Sequence, residues 1–306
     1  KESSAASDVY KRQVVIVAGI VILFIFKLNL GIDFTSGTRV DMKADHKITQ
    51  QEVTKKIEDA GLKPDRVALS GNNDSASVQF KEDLSKNEVA KVKSMMKKEF
   101  GNDPTVNTVS PVIGQEIAKN ALLSLIYASI GMIIYISLRF EWRMGLSSII
   151  ALLHDAFMIV AVFSLFRIEV DVTFIAAVLT IIGYSINDTI VTFDRVRENL
   201  HKMKVITKPE QIDKIVNRSI RQTMTRSINT VLTVVIVVVA LLIFGASSIF
   251  NFALALLIGL VSGVFSSIFI AVPLWGMMKK RQLKKAPNQK LVVYREKRKN
   301  EDKILV

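Results

Sequence analysis

The sequence contains no cysteine and only three histidines among its 306 residues. Without cysteine there is no disulfide framework, no thiolate metal site and no cysteine nucleophile. Carboxylates, hydroxyls, basic side chains and the backbone are therefore the groups that any chemistry must use. We predict that the protein holds no metal ion and no bound cofactor.

Apolar residues make up 50% of the chain, and the mean hydropathy is +0.33. This composition excludes a single soluble core. A bilayer core is crossed by about 20 apolar residues in a helix, and six stretches satisfy that length: 13–30, 121–138, 144–166, 172–193, 228–244 and 250–278. No small-residue cleavage site closes the first stretch before Gly31, so it is a retained span rather than a signal peptide. The sequence predicts a polytopic α-helical membrane protein with six transmembrane helices.

The net charge of +13 is distributed unevenly along the chain. Residues 32–110 hold 13 basic and 13 acidic side chains, whereas 195–226 hold nine against three and 279–306 hold eleven against three. Basic segments mark the cytoplasmic side of a membrane protein. We therefore predict a cytoplasmic N-terminal segment, 1–12, a basic cytoplasmic tail, 279–306, and an extracytoplasmic domain, 31–118. The excess of basic charge indicates topology and attraction to membrane lipid rather than binding of nucleic acid.

The extracytoplasmic segment alternates short β-rich runs with two amphipathic helices. Each helix start carries a capping-box pattern, Thr49 with Glu52 and Ser85 with Glu88. The predicted elements are strand 37–44, helix 49–60, strand 65–71, strand 75–81, helix 85–100 and strand 104–109. This β-α-β-β-α-β order is typical of a ferredoxin-like α+β domain. The predicted core faces of the two helices are Val53, Ile57 and Ala60 in the first, and Val89, Val92 and Met96 in the second. Because no catalytic cluster marks this domain, we interpret it as a binding or mechanical module.

Ionisable side chains inside predicted spans are the strongest functional signals, because burying them in a membrane is costly. Asp188 is the clearest case. It shares a helix face with other polar side chains at four-residue spacing, and those supporting polar residues are Thr180, Tyr184 and Thr192, with Ser185 and Asn187 nearby. The pattern allows either a carboxylate that cycles between protonated and charged forms or a static structural aspartate.

A second polar pair, His154 and Asp155, lies in the third predicted span, where a structural contact between helices is one interpretation. Arg226 stands at the entry to the fifth span, where it is a candidate cation for Asp188, although its side chain is also long enough to reach lipid phosphate. The segment 195–226 is amphipathic, and we predict that it lies along the cytoplasmic membrane surface. Its apolar face consists of Ile212, Ile215, Val216, Ser219 and Thr223. In the last span, Gly259 and Gly263 form a GxxxG pattern that favours close helix contact.

Several longer motifs extend these isolated residues. They are Gly31-Ile-Asp-Phe-Thr-Ser-Gly37, Ser110-Pro-Val-Ile-Gly-Gln-Glu116, Arg139-Phe-Glu-Trp142, His154-Asp155, Gly183-Tyr-Ser-Ile-Asn-Asp-Thr-Ile-Val191, Phe193-Asp-Arg195 and Asn217-x-Ser-x-x-Gln-Thr-x-x-Arg-Ser227. On these motifs the chain resembles the SecF family of bacterial protein-export subunits, within the resistance-nodulation-cell division superfamily. The match runs from about residue 10 to residue 278. Ser36 stands where that family usually has a second glycine, and the absence of an initial Met suggests the C-terminal half of a fused SecDF chain.

The resemblance implies a non-enzymatic subunit that uses the proton gradient to promote preprotein export. Its implied partners are SecD, the SecYEG translocon, a YidC-type insertase and the emerging preprotein. The implied location is the bacterial cytoplasmic membrane, with both termini cytoplasmic. The family's proton-relay aspartate falls on Asp188 and its relay arginine falls on Arg226. Gly31, Asp33 and Gly37 belong to a motif turn, and neither Asp33 nor Asp155 acquires a defined role.

Three other functions fit parts of the sequence. An intramembrane aspartyl protease would use Asp155 and Asp188 around a shared water, but the flank of Asp188 lacks the expected Gly-x-Gly-Asp pattern. An exporter of lipids or drugs would be expected to have larger outside domains than this one of about 80 residues. A structural assembly factor would leave Asp188 without a proton-carrying role.

Overall fold

The computed structural model describes residues 19–70, 73–203, 205–206, 208–285 and 291–292. The chain divides into two compact units, each discontinuous in sequence. Unit 1 comprises Lys1–Ala128, Met158–Leu179 and Ile236–Ile258, and unit 2 comprises Ser129–Phe157, Thr180–Val235 and Gly259–Val306.

Five helical runs in the described part of the chain are long and apolar enough to cross a bilayer. They are α5 (Pro111–Arg139), α6 (Trp142–Leu165), α7 (Val172–Lys202), α8 (Pro209–Phe244) and the run Phe250–Lys284, in which α9 (Phe250–Ser266) is followed by a π-helical turn (Ser267–Ala271) and α10 (Val272–Lys285). Apolar side chains such as Ile126, Ile130 and Ile134 on α5 are exposed, as expected for a surface that faces hydrocarbon. The protein is a multi-pass α-helical membrane protein.

The first predicted span, 13–30, lies partly outside the described residues. Residues 19–26 form helix α1, which ends before Lys27, a residue with φ +51°. The prediction was wrong at this end, because Asn29–Leu30 form strand β1 and pair in parallel with β6 (Glu169–Val170). The carbonyl of Lys27 accepts a hydrogen bond from Ser164 Oγ at 3.0 Å, which anchors this turn.

Two predicted boundaries also differ from the structure. Helix α5 begins at Pro111 rather than at residue 121, so the motif that starts at Ser110 forms its first turns. At the other end of the chain, α10 continues to Lys285 instead of giving way to a tail at residue 279. Lys279 is held there by two short contacts of its Nζ with the Glu141 carboxylate, at 2.9 and 3.1 Å. Apart from 291–292, the tail beyond residue 285 lies outside the described residues.

The predicted amphipathic segment 195–226 is not a separate element on the membrane surface. Helix α7 continues to Lys202, and α8 runs without a break from Pro209 to Phe244. The apolar face of the segment is buried inside unit 2 by contacts with protein. Asn199 Nδ2, for example, donates to Ser219 Oγ at 2.8 Å and to Gln222 Oε1 at 2.9 Å. Protein packing replaces the lipid surface that the sequence pattern suggested.

Residues 32–109 form the α+β domain, which has the predicted order of elements. After the short helix α2 (Ile32–Thr35), its elements are β2 (Gly37–Lys43), α3 (Gln50–Asp59), β3 (Arg66–Ser70), β4 (Ser75–Phe80), α4 (Lys86–Phe100) and β5 (Thr105–Val109). The antiparallel sheet has strand order β3-β4-β2-β5. The two helices pack their apolar faces on this sheet, and a single core contains Val53, Ile57, Val92 and Met96 together with Val40 and Val78.

Local capping explains where the two helices begin and end. The Thr49 side chain accepts a hydrogen bond from the Glu52 N–H at 3.2 Å, and Ser85 and Glu88 form a complete capping box. These bonds satisfy backbone donors that a helix start leaves unpaired. Helix α4 ends at Gly101, whose φ of +89° suits glycine because no Cβ is present to clash. The capping box predicted at Ser85 is confirmed, whereas the described contacts at Thr49 show the N-cap bond alone.

Val53→Asp is expected to unfold the α+β domain. Val53 is fully buried in the core between α3 and the sheet, so the substitution buries an unpaired charge at a cost of several kcal/mol. Lys91→Gln, an exposed change on α4, is the matched control and is expected to melt like the wild type. The measurement is thermal unfolding of the whole protein, wild type and both variants, with circular dichroism as the signal. Equal melts for Val53→Asp and Lys91→Gln would remove this core assignment.

Candidate functional site

Asp188 lies on α7 within unit 2, in a largely apolar stretch of that helix. Its Oδ1 accepts a hydrogen bond from the hydroxyl of Ser227 on α8. Its Oδ2 is buried and makes no hydrogen bond of acceptable geometry among the described residues, although the Ser267 hydroxyl also acts on this carboxyl group. One oxygen of this carboxyl group is therefore held by a neutral hydroxyl, and the other is free to take a proton or to accept a further donor.

The predicted partner Arg226 does not form an ion pair with Asp188 within the described part of the chain. Its side chain is exposed, although its charge acts on Asp188 electrostatically. The neighbouring residue, Ser227, makes the direct contact instead. Ser227 acquired no role from its sequence position, although a hydroxyl beside the candidate arginine at the start of a predicted span was a visible signal.

The supporting polar residues of α7 have four different environments. The Tyr184 hydroxyl is buried without a hydrogen bond among the described residues, whereas Asn187 is exposed. The Thr192 hydroxyl donates to the Asp188 backbone carbonyl at 3.1 Å, one turn back along the same helix. Ser185 turns away from Asp188 and bonds to Asp155. Of these four side chains, only Ser185 donates to a carboxylate, and that carboxylate is Asp155 rather than Asp188.

Asp155 is fully buried on α6, and its carboxylate accepts hydrogen bonds from three serine hydroxyls. Ser185 Oγ and Ser266 Oγ each lie 2.6 Å from Asp155 Oδ2, and Ser262 Oγ lies 2.7 Å from Oδ1. We call Asp155 and these three serines the serine cage. His154 Nδ1 is 3.4 Å from Asp155 Oδ1, so the predicted pair is in contact. No hydrogen bond joins Asp155 to Asp188 in the described residues, so the arrangement expected of a protease dyad is not found there.

Helices α7 and α9 approach each other closely at the two glycines of the GxxxG pattern. A Cβ built on Gly259 would lie 2.4 Å from Ile181 Cγ1, and one built on Gly263 would lie 3.5 Å from Ser185 Cβ. Only glycine allows the first approach, because the facing atoms belong to a buried β-branched side chain. The predicted close contact is confirmed, and it places Gly259 and Gly263 of α9 against Ile181 and Ser185 of α7.

The motif turn that begins at Gly31, after the first predicted span, is hydrogen-bonded to the segment between α6 and α7 in unit 1. The Gly31 N–H donates to the Val170 carbonyl at 2.8 Å, and Asp33 Oδ2 accepts the Val172 N–H at 3.0 Å. Asp33 therefore caps the start of α7, which gives this residue a structural role that its motif did not reveal. Gly37 has φ +122° and leaves no room for a Cβ beside the Phe80 carbonyl, while Ser36 has φ +67°.

Arg39 on β2 lies in an acidic cluster of unit 1. Its guanidinium is 3.2 Å from Asp41, 3.6 Å from Glu169 and 3.9 Å from Asp171. Burial raises the pKa of Glu169 above its ordinary value; Arg39 and Arg66 oppose this shift, and Asp171 and Asp41 reinforce it. Glu169 Oε1 is buried without a hydrogen bond among the described residues, so this glutamate is the poorly compensated member of the cluster.

Glu169→Gln is expected to stabilise the protein at neutral pH and to flatten the pH dependence of its stability. A carboxyl group with a raised folded-state pKa favours the folded state at low pH, and that contribution is lost as pH rises through the folded-state value. Glutamine is neutral at every pH, so the variant does not lose folding stability at this position as the pH rises. The check is the melting temperature between about pH 4.5 and 8, with Glu58→Gln on the exposed face of α3 as the control. A wild-type pH profile in Glu169→Gln would contradict the assignment.

Within the described part of the chain, no group of three or more histidine, cysteine, aspartate or glutamate side chains is placed to hold a metal ion. The polar groups that lie inside the helices are single carboxylates with hydroxyl partners. The fold and these contacts define a multi-pass membrane protein with two separate carboxyl centres, Asp155, which is fully buried, and Asp188, which is partly buried.

The family described as "Protein export membrane protein SecD/SecF, C-terminal" matches residues 88–281, and the "SecD/SecF GG Motif" matches residues 21–48. The SecDF translocase subunit of Bacillus subtilis is 58% identical over 272 residues, which are 89% of this chain and 37% of that protein. The SecF subunit of Alicyclobacillus acidocaldarius is 43% identical over 279 residues, 88% of this chain and 89% of that protein.

The crystal structure of SecDF from Thermus thermophilus, described as a translocon-associated membrane protein, aligns with a TM-score of 0.80 at 30% identity. The alignment covers 91% of this chain and 38% of that one. This chain belongs to the SecD/SecF family of protein-export membrane proteins, and the resemblance in its motifs is confirmed. It corresponds to the SecF part, and it spans little more than a third of the length of the SecDF proteins that it matches.

Proposed function

We propose that this chain is the SecF part of a protein translocase that uses the proton gradient to promote preprotein export through the Sec translocon. The support is the family membership, together with relatives that are named as translocase subunits rather than as enzymes. Its partners are a SecD part, on the same chain or on another, the SecYEG translocon and the emerging preprotein. A YidC-type insertase is a further partner, and the energy source takes the place of a cofactor.

The observation that carries the proton-relay proposal is the environment of Asp188. A carboxyl group with one oxygen bonded to Ser227 and the other without a partner accommodates both charge states. In the charged form the Ser227 hydroxyl donates to it, and Arg226 supplies positive charge from nearby. In the protonated form the added proton resides on the free oxygen, and no existing hydrogen bond has to break. A low-cost exchange between the two forms is what a relay requires.

The proposal includes the arrangement of the chain in the bacterial cytoplasmic membrane. Six spans, of which the first includes helix α1, give cytoplasmic termini and a single extracytoplasmic domain. The strand order β3-β4-β2-β5 with two helices supports the ferredoxin-like assignment of that domain. The balanced charge of 32–110 and the basic excess of 195–226 support the orientation.

Single cysteines test this orientation directly, because the parent chain has none. Lys93 on α4 and Lys284 on α10 are both exposed. In intact cells an impermeant maleimide is expected to label Lys93→Cys and to leave Lys284→Cys unlabelled until the membrane is opened. Labelling of both positions from outside would contradict the proposed topology, and the cysteine-free parent gives the background.

The export function is tested with inverted membrane vesicles that lack this protein and with vesicles to which it has been restored together with its SecD part. Translocation of a preprotein is measured with and without an imposed proton gradient. Restoration is expected to return a gradient-dependent increase in translocation. The same increase in vesicles that lack the protein would contradict the proposed function.

A further inference from the structure

The serine cage around Asp155 has no place in the relay proposed for Asp188. A fully buried carboxylate is costly unless donors surround it, and here three hydroxyls from two other helices do so. Ser185 belongs to α7, which also carries Asp188, and Ser262 and Ser266 belong to α9. Asp155 thus ties α6 to both neighbours through charge-assisted hydrogen bonds, which are stronger than neutral ones.

We infer that Asp155 is a positioning residue for Asp188, because its serine cage fixes the rotation of α7 and the register of α9 around the relay carboxyl group. This inference rests on the proposed relay function of Asp188. It assigns to Asp155 no proton transfer of its own. The serine cage acts by geometry alone. Without it, α7 shifts and the Asp188 carboxyl group moves out of hydrogen-bond distance of Ser227.

On α7, helix geometry links the position of Ser185 to that of Asp188. Ser185 precedes Asp188 by three residues, which is slightly less than one turn. A rotation of α7 by about 20° moves a side-chain tip that lies about 5 Å from the helix axis by about 2 Å. A displacement of that size breaks the hydrogen bond between Ser227 and Asp188. The bond from Ser185 to Asp155 opposes such a rotation at the nearest turn.

The α9 side depends on the π-helical turn, which starts at Ser267. Ser266 donates to Asp155 on α6, while the Ser267 hydroxyl lies 2.8 Å from the Thr189 hydroxyl on α7. Thr189 is the residue next to Asp188. Two consecutive serines therefore fix α7 near Asp188. Ser266 does so indirectly, through Asp155 and its bond to Ser185, and Ser267 does so directly, through its contact with Thr189. Single π-helical turns inside α-helices often occur at functional sites.

The charges around Asp155 are few. From its own helix the titratable group that faces it is His154, at 3.4 Å. From α7 and α9 the groups in contact are the hydroxyls of the cage. Within the described residues no lysine or arginine forms an ion pair with Asp155. Asp155→Asn keeps one acceptor oxygen and offers an amide donor that a serine oxygen accepts, so it weakens the cage while filling nearly the same volume.

The test measures Asp188 itself in the full-length protein, assembled with its SecD part in native membranes. Dicyclohexylcarbodiimide reacts with protonated carboxyl groups in apolar surroundings, and mass spectrometry separates the Asp188 peptide from the Asp155 peptide. The labelling rate of Asp188 is recorded as a function of pH for the wild type, Asp155→Asn, Ser262→Ala and Ser266→Ala. Ser147→Ala is the matched control, because Ser147 is fully buried on α6 but donates only to carbonyls of its own helix.

Asp155→Asn is expected to displace the pH profile of Asp188 labelling by about one pH unit, which corresponds to one hydrogen bond to a charged group. The two serine variants of the cage are expected to displace it by less, and Ser147→Ala not at all. If Asp155→Asn does not accumulate, the pH profiles of Ser262→Ala and Ser266→Ala are compared with the wild-type profile instead, and a displaced profile supports the positioning role. An Asp188 profile that is identical in the wild type and in all cage variants overturns the positioning role. Absence of Asp188 labelling in the wild type at every pH instead contradicts the relay function itself.

Discussion

Asp188→Asn is expected to fold, to accumulate and to join its SecD part, but to lose gradient-dependent stimulation of preprotein translocation. The amide has nearly the volume of the carboxyl group and keeps an oxygen that accepts the Ser227 hydroxyl. It does not take up or release a proton, so it reproduces only the neutral form. The measurement is translocation into proteoliposomes with and without an imposed proton gradient, with expression and co-purification of the SecD part followed in parallel.

The same assay separates a relay from a static structural aspartate. A static aspartate is replaced well by asparagine, so stimulation would survive in Asp188→Asn. Asp188→Glu is expected to keep part of the activity, because the acid remains but reaches one methylene further in a packed interior. Asp213→Asn is the matched control: the same change at an exposed ion pair with Lys280 is expected to be neutral.

Gly259→Ala is expected to destabilise the protein strongly by separating α7 from α9. The added methyl would overlap three atoms of the buried Ile181 side chain, at 2.4, 2.8 and 2.9 Å from the new Cβ. Overpacking of this kind costs about 1–3 kcal/mol. Gly183→Ala on α7 is the matched control, because a Cβ there meets nothing within 4 Å. Both changes gain the same helix propensity, so the difference between their melting temperatures isolates the clash.

A compensating change sharpens this prediction. Ile181→Ala removes all three atoms that the new methyl meets, at the cost of a cavity. The double variant is expected to be less destabilised than the sum of the two single changes by at least about 1 kcal/mol, because residues in contact couple. Strict additivity would show that Gly259 and Ile181 do not face each other.

The α+β domain was predictable because local chemistry determines most of it. Thr49 and Ser85 start their helices through side-chain bonds to residues three positions along, a pattern visible in the sequence. The strands β1 and β6 were not predictable, because each has two residues and therefore no alternation. The segment 195–226 misled for a different reason. An apolar helix face indicates burial, but it does not distinguish lipid from protein as the covering partner.

Asp188 was predictable because a carboxylate in an apolar helix stands out against its neighbours. Its contact with Ser227 was not, since it depends on how α7 and α8 pack. The serine cage was partly visible: Ser262 and Ser266 are four residues apart in a helix that is otherwise strongly apolar. Only the structure shows that both hydroxyls, together with Ser185, converge on Asp155.

The central claim, that Asp188 carries protons, is tested most directly by proton flux. The complete SecD–SecF unit is reconstituted into vesicles that contain a pH-sensitive dye, and proton entry is followed after an acid pulse outside. The wild type and Asp213→Asn are expected to admit protons faster than protein-free vesicles, and Asp188→Asn is expected to match the protein-free rate. Proton entry at the wild-type rate through folded, correctly assembled Asp188→Asn would contradict the account.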